Sequence, residues 1–82
     1  MDFIRLGDKT TGDGSVISAS ETMSYDGRKV ARQGDRVTCK KHPRVNPNII
    51  IEGDVSMKDE GVPLARHLYR VTCGCQVISS SC

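Results

Sequence analysis

Apolar residues in this chain come in short clusters separated by glycine, proline and charged positions, and no window carries the stripe of an amphipathic helix with caps at both ends. Ser15-Val16-Ile17-Ser18-Ala19-Ser20 and Asn48-Ile49-Ile50-Ile51-Glu52 are β-prone. Each is followed by a second such segment, Thr22-Met23-Ser24-Tyr25 or Val55-Ser56-Met57-Lys58. Asp26-Gly27 and Glu60-Gly61 then supply the glycine that tight hairpin turns favour. A further strand follows each turn, Lys29-Val30-Ala31-Arg32 or Val62-Pro63-Leu64-Ala65-Arg66, and leads to Arg-Val-Thr-Cys. Pro43, Asn46 and Pro47 punctuate the stretch between the two units and mark a loop. The pattern predicts a mainly β chain built from small meanders.

Those meanders are copies of one unit. Arg36-Val37-Thr38-Cys39 recurs as Arg70-Val71-Thr72-Cys73 and, at the same spacing of 34 residues, Ile17 falls on Ile51, Met23 on Met57, Gly27 on Gly61 and Ala31-Arg32 on Ala65-Arg66. A shorter third copy opens the chain, where the segment from Arg5 to Thr11 parallels Arg32 to Thr38 and Arg66 to Thr72. Two copies and a part are too few for a capped solenoid, so a closed pseudo-threefold arrangement is expected. Gly12, Cys39 and Cys73 then end the three copies at related places.

Composition narrows the class. Eighty-two residues allow one small domain with one modest core, read here as residues 1–82 with units at roughly 1–12, 15–42 and 48–82. A chain this short, with no Trp, needs a metal, a disulfide or a partner to reinforce it. A net charge of +2 is too weak for an electrostatic nucleic-acid footprint. No apolar run is long enough to span a membrane or to form a signal peptide, since Asp2, Arg5 and Asp8 interrupt the N-terminal stretch. Synthesis in a reducing cytosol is therefore expected, where cysteines more often serve as metal ligands or free thiols than as disulfides.

Lys29-Val30-Ala31-Arg32 followed by Gly34-Asp35, and Pro63-Leu64-Ala65-Arg66 in the second copy, resemble the Pro-Ala-Ala-Arg repeat, or PAAR, proteins. Such proteins also open with Gly-Asp-x-Thr-Thr, as Gly7-Asp8-Lys9-Thr10-Thr11 does, and carry Cys-x-x-His near the middle. Their Thr-x-Cys-Gly element is matched in part by Thr72-Cys73-Gly74, and Gln76-Val77-Ile78-Ser79 looks like their closing strand. The resemblance covers essentially the whole chain. It implies the tip of a bacterial type VI secretion spike: a pseudo-threefold cone whose base caps the trimeric needle protein VgrG, one tip per trimer, and whose apex holds zinc. It further implies effectors carried by docking, residence in the bacterial cytoplasm before firing, and release afterwards into a target cell or the medium. Stable membrane insertion and nucleic-acid binding are not expected.

Cys39-Lys40-Lys41-His42 is a Cys-x-x-His half-site, and His67 with Cys73 forms a second one in the matching copy. Cys39, His42, His67 and Cys73 make a Cys2His2 set suited to a closed, structural Zn²⁺ site with no position for a reactive water. Many PAAR proteins use more histidine and place one directly after the opening Thr-Thr. Gly12 stands there in this chain, and Cys39, its repeat equivalent, takes that role; Asp13 is a weaker oxygen candidate. Cys75 could exchange with Cys73, and Cys82 reads as a free thiol or an incidental disulfide partner.

No nucleophile motif or phosphate loop is present, and zinc would occupy both histidines, so the chain is not expected to be an enzyme. Ala31-Arg32 and Ala65-Arg66 read as structural, a small residue for close packing beside an arginine paired with a carboxylate. Two alternatives compete: a small zinc-binding module that meets nucleic acid through Lys40, Lys41 and Arg44, and an oxidoreductase using Cys73-Gly74-Cys75. The second lacks the usual two-residue spacing and βαβ setting.

Overall fold

Short apolar clusters between tight turns cannot build long ladders, and the chain folds as six brief antiparallel strands with no helix among the described residues. The structure, a computed structural model, describes residues 3–80. Strand β1 (Lys9–Thr10) pairs with β6 (Val77–Ile78), β2 (Ser24–Tyr25) with β3 (Arg28–Lys29), and β4 (Asp54–Asp59) with β5 (Val62–Leu64). The two hairpins turn at Asp26-Gly27 and Glu60-Gly61, where all four residues have positive φ, as a two-residue hairpin turn of matching twist requires.

The segments expected as strands at 15–20 and 48–52 form single bridges instead. Ser15 pairs with Lys9 while Val16 pairs with Val37; Ile49 pairs with Arg36 while Ile50 pairs with Val71. Each segment crosses between two neighbours and changes partner at every residue, so no ladder can extend. Thr22 and Met23 stay outside β2 because the Ser20 hydroxyl accepts both of their N–H groups and turns the chain.

What replaces long ladders is a threefold closure. Ile4, Ala31 and Ala65 are equivalent residues, and their backbones form a ring: Ile4 N–H donates to Ala65 O at 3.0 Å, Ala65 N–H to Ala31 O at 3.0 Å, and Ala31 N–H to Ile4 O at 2.8 Å. Related turns follow the ring at 5–8, 32–35 and 66–69, with N–H of Asp8, Asp35 and Tyr69 bonded to the carbonyls of Arg5, Arg32 and Arg66. Gly7, Gly34 and Leu68 occupy the left-handed position of these turns, where Leu68 carries a cost that the glycines escape.

The core is stacked in matching trios about this axis. Phe3, Val30 and Leu64 pack together on one side of the ring. Val16, Ile50 and Val77, then Val37 and Val71 beside the buried Thr10, lie on the other. Ala31 and Ala65 are fully buried where backbones approach closely, and their neighbours Arg32 and Arg66 reach Asp59 at 3.6 Å and Asp54 at 2.9 Å. Both positions thus have the packing and pairing roles read from the sequence. Ile17 and Ile51, also equivalent, remain about half exposed.

Candidate metal centre

Each unit ends in a threonine that clamps its neighbour. Thr38 donates its N–H to Ser15 O at 2.8 Å and accepts the Ser15 N–H on Oγ1 at 3.0 Å. Thr72 treats Ile49 in the same way, and Thr11 treats Gln76. The residues that follow, Gly12, Cys39 and Cys73, are thereby gathered around the axis beyond the Thr10, Val37 and Val71 layer. Tight connections carry the chain onward from Thr11 and Thr72, whereas the connection after Thr38 is longer and includes His42, Pro43 and the cis Asn46–Pro47 bond.

Within that longer loop, His42 N–H bonds Cys39 O at 3.2 Å, a turn that folds the imidazole back toward the thiol. Cys39 Sγ lies 3.4 Å from His42 Nδ1 and 3.4 Å from Cys75 Sγ, and Cys75 Sγ lies 3.6 Å from His42 Nδ1. With Cys73, these four ligand atoms all fall within 4.8 Å of one another. Tetrahedral zinc, with bonds of about 2.3 Å to sulfur and about 2.0 Å to nitrogen, separates two sulfurs by about 3.8 Å and sulfur from nitrogen by about 3.5 Å. The residues therefore fit a four-coordinate soft metal, with three thiols and one imidazole as donors.

Cys39, His42 and Cys73 from the sequence reading come together here, and the fourth place is taken by Cys75. His67 is elsewhere. It occupies the corner of the 66–69 turn, and its Nδ1 accepts the Ser79 N–H at 3.0 Å. The chain must still pass the Val71 layer before reaching Cys73, so five residues of separation along the sequence become distance along the axis. Asp13 is exposed in its own turn and does not join the ligand group. Lys40, Lys41 and Arg44 are exposed on the His42 loop. Cys82 lies outside the described residues.

Two neighbours shape the cluster, Gly12, whose steric role the sequence does not show, and Asn48. Gly12 provides space: a Cβ there would stand 2.0 Å from Cys39 Sγ and 2.8 Å from Cys75 Sγ. A side chain at position 12 would therefore compete for the volume that the Cys39 and Cys75 sulfurs occupy. Asn48, which is buried, faces Cys73: its Nδ2 lies 3.2 Å from Cys73 Sγ and its Oδ1 accepts the Cys73 N–H at 3.3 Å. The Cys-x-Cys spacing pointed to Cys75, but no sequence signal marked Asn48.

The thiols are electrostatically unequal. Burial pushes Cys73 up, but the Cys75 N–H, the Asn48 amide and the neighbouring thiols outweigh it and bring it down to about 7. Burial, reinforced by the Cys39 and Cys73 sulfurs, pushes Cys75 up to about 11. A cation among them favours the thiolate at each sulfur, so metal binding releases protons.

No curated protein matches the chain. The sequence model of the PAAR motif does, over residues 6–79, which takes in all three clamping threonines and the clustered Cys39, His42, Cys73 and Cys75. The chain belongs to the PAAR-motif family.

Proposed function

We propose that the protein is a non-catalytic spike tip: one chain caps the end of a trimeric VgrG needle, and a structural Zn²⁺ held by Cys39, His42, Cys73 and Cys75 rigidifies its point. The observation that carries this reading is the closed ring of Ile4, Ala31 and Ala65. A trimer ends in three identical surfaces, and a single chain can meet all three only by presenting related faces. The ring and its flanking trios supply that pseudo-threefold frame. The order of pairing along each segment puts the metal cluster beyond one side of the ring and the β2–β3 and β4–β5 hairpins beyond the other. Exposed apolar residues on the hairpin segments, Tyr25, Val55 and Met57, suit a docking base.

Bound zinc would supply cross-linking without chemistry, because four protein donors leave no site for water. The cross-link joins loops from different units where the core has tapered to small residues and glycine. Structural zinc contributes on the order of 10 kcal/mol of apparent binding energy in small domains, comparable to the whole stability of a fold this size. On this reading the protein is made in the cytoplasm, leaves with the spike, and brings effectors by docking. Mixing it with a VgrG trimer from the same bacterium and measuring complex mass by light scattering tests the proposal. One chain per trimer supports capping; absence of a complex, or three chains per trimer, rejects it.

A further inference from the structure

We propose that Asn48 is a positioning residue for the metal site, which orients Cys73 and withdraws charge from its sulfur. This rests on the metal reading above. Asn48 is only 6% exposed, so its amide relies mainly on protein partners. Its orientation follows from a one-way constraint. The Cys73 backbone N–H can only donate, so the side-chain oxygen of Asn48 must face it, and the NH2 group is then directed at the Cys73 sulfur. The amide therefore grips one residue twice, once through the backbone and once through the ligand atom.

The fold builds this contact by threefold placement. Thr10 N–H donates to Gly14 O at 3.0 Å, Val37 N–H to Asn48 O at 2.8 Å, and Val71 N–H to Cys75 O at 2.9 Å. Gly14, Asn48 and Cys75 are thus equivalent positions next to the axis. Gly14 lies against the Thr38 backbone, where a Cβ would stand 1.9 Å from Thr38 O; Asn48 donates to a candidate ligand, and Cys75 is itself one. Three thiolates and a neutral imidazole around a divalent ion leave one net negative charge, and an N–H donated to sulfur disperses part of it.

The test uses the full chain loaded with Co²⁺, whose thiolate charge-transfer band reports electron donation by sulfur, together with Zn²⁺ affinity by chelator competition. Asn48→Asp keeps an acceptor for the Cys73 N–H but replaces the donor to sulfur with a carboxylate; Asn48→Ala removes both contacts. The expected result is a shifted charge-transfer band in both variants and Zn²⁺ binding weakened by about 10–100-fold, with Asn48→Asp the more affected. Wild-type band position and affinity in both variants would overturn the proposal. Should either variant fail to fold, the native protein still decides: with NMR-active cadmium bound, an Asn48 side-chain proton coupled to the metal through sulfur is expected, and a resolved but uncoupled proton refutes the contact. A native chain that takes up neither Zn²⁺ nor Co²⁺ rejects the metal site itself and this inference with it. A metal-loaded chain with an indifferent Asn48 rejects the inference alone.

Discussion

Replacing Gly12 with alanine should weaken metal binding by about 100-fold while leaving the fold in place. The added Cβ would stand 2.0 Å from Cys39 Sγ and 2.8 Å from Cys75 Sγ, whereas non-bonded heavy atoms settle at roughly 3.5–4.0 Å. At least one sulfur must move by more than an ångström, against a tolerance of about 0.2 Å in a metal–ligand bond. If four donors share about 10–16 kcal/mol of apparent zinc binding, losing one costs about 3 kcal/mol, or about 100-fold in affinity. Gly12 lies outside the left-handed backbone region, so alanine adds no backbone strain. Without metal the free thiols can rotate away, and a penalty of only about 1 kcal/mol is expected. Thermal melts with zinc and with chelator, alongside chelator competition, separate these effects. Native protein and variant should melt close together in chelator, and the native protein should gain about 3 kcal/mol more from zinc than the variant does. An alanine variant that holds zinc within about threefold of native affinity would refute the argument from space.

Three further outcomes are expected. Single replacements of Cys39, His42, Cys73 or Cys75 by alanine should each abolish tight zinc retention in elemental analysis, whereas His67→Ala should retain it and lose about 1 kcal/mol with the Ser79 hydrogen bond; a zinc-free His67 variant would reverse the assignment. Ala65→Leu, at a fully buried position in the backbone ring, should destabilise the protein by about 1–3 kcal/mol in urea unfolding, and an unchanged midpoint would show slack at the axis. Asp54 is held down at about 2 by the Ser56 hydroxyl, the Arg66 guanidinium and the Ser56 N–H, below its ordinary value of 3.8. A carboxylate lowered by folding contributes its full stabilisation above the unfolded value and loses it as pH falls toward the folded one. Stability should therefore decline between about pH 4 and pH 2 more steeply in the native chain than in Asp54→Asn, and parallel acid profiles would exclude the carboxylate as a cause.

The sequence by itself determined the β class, the hairpin turns at Asp26-Gly27 and Glu60-Gly61, and the threefold idea, because these rest on local turn chemistry and on repetition along the chain. It also marked Cys39, His42 and Cys73, which the fold brings together with Cys75, and the packing roles of Ala31, Arg32, Ala65 and Arg66. Only the tertiary structure decided the rest. The segments at 15–20 and 48–52 look like strands but alternate partners across the axis, which no periodicity records. His67 and Cys75 are both close to Cys73 along the chain, yet one stops at a turn below the last core layer and the other reaches the cluster. Gly12 and Asn48 matter through what stands opposite them, in loops that the clamping threonines bring together from distant parts of the sequence. A repeat can therefore be read from spacing, whereas the composition of a site on its symmetry axis depends on long-range pairing and on the volume each unit leaves to the others.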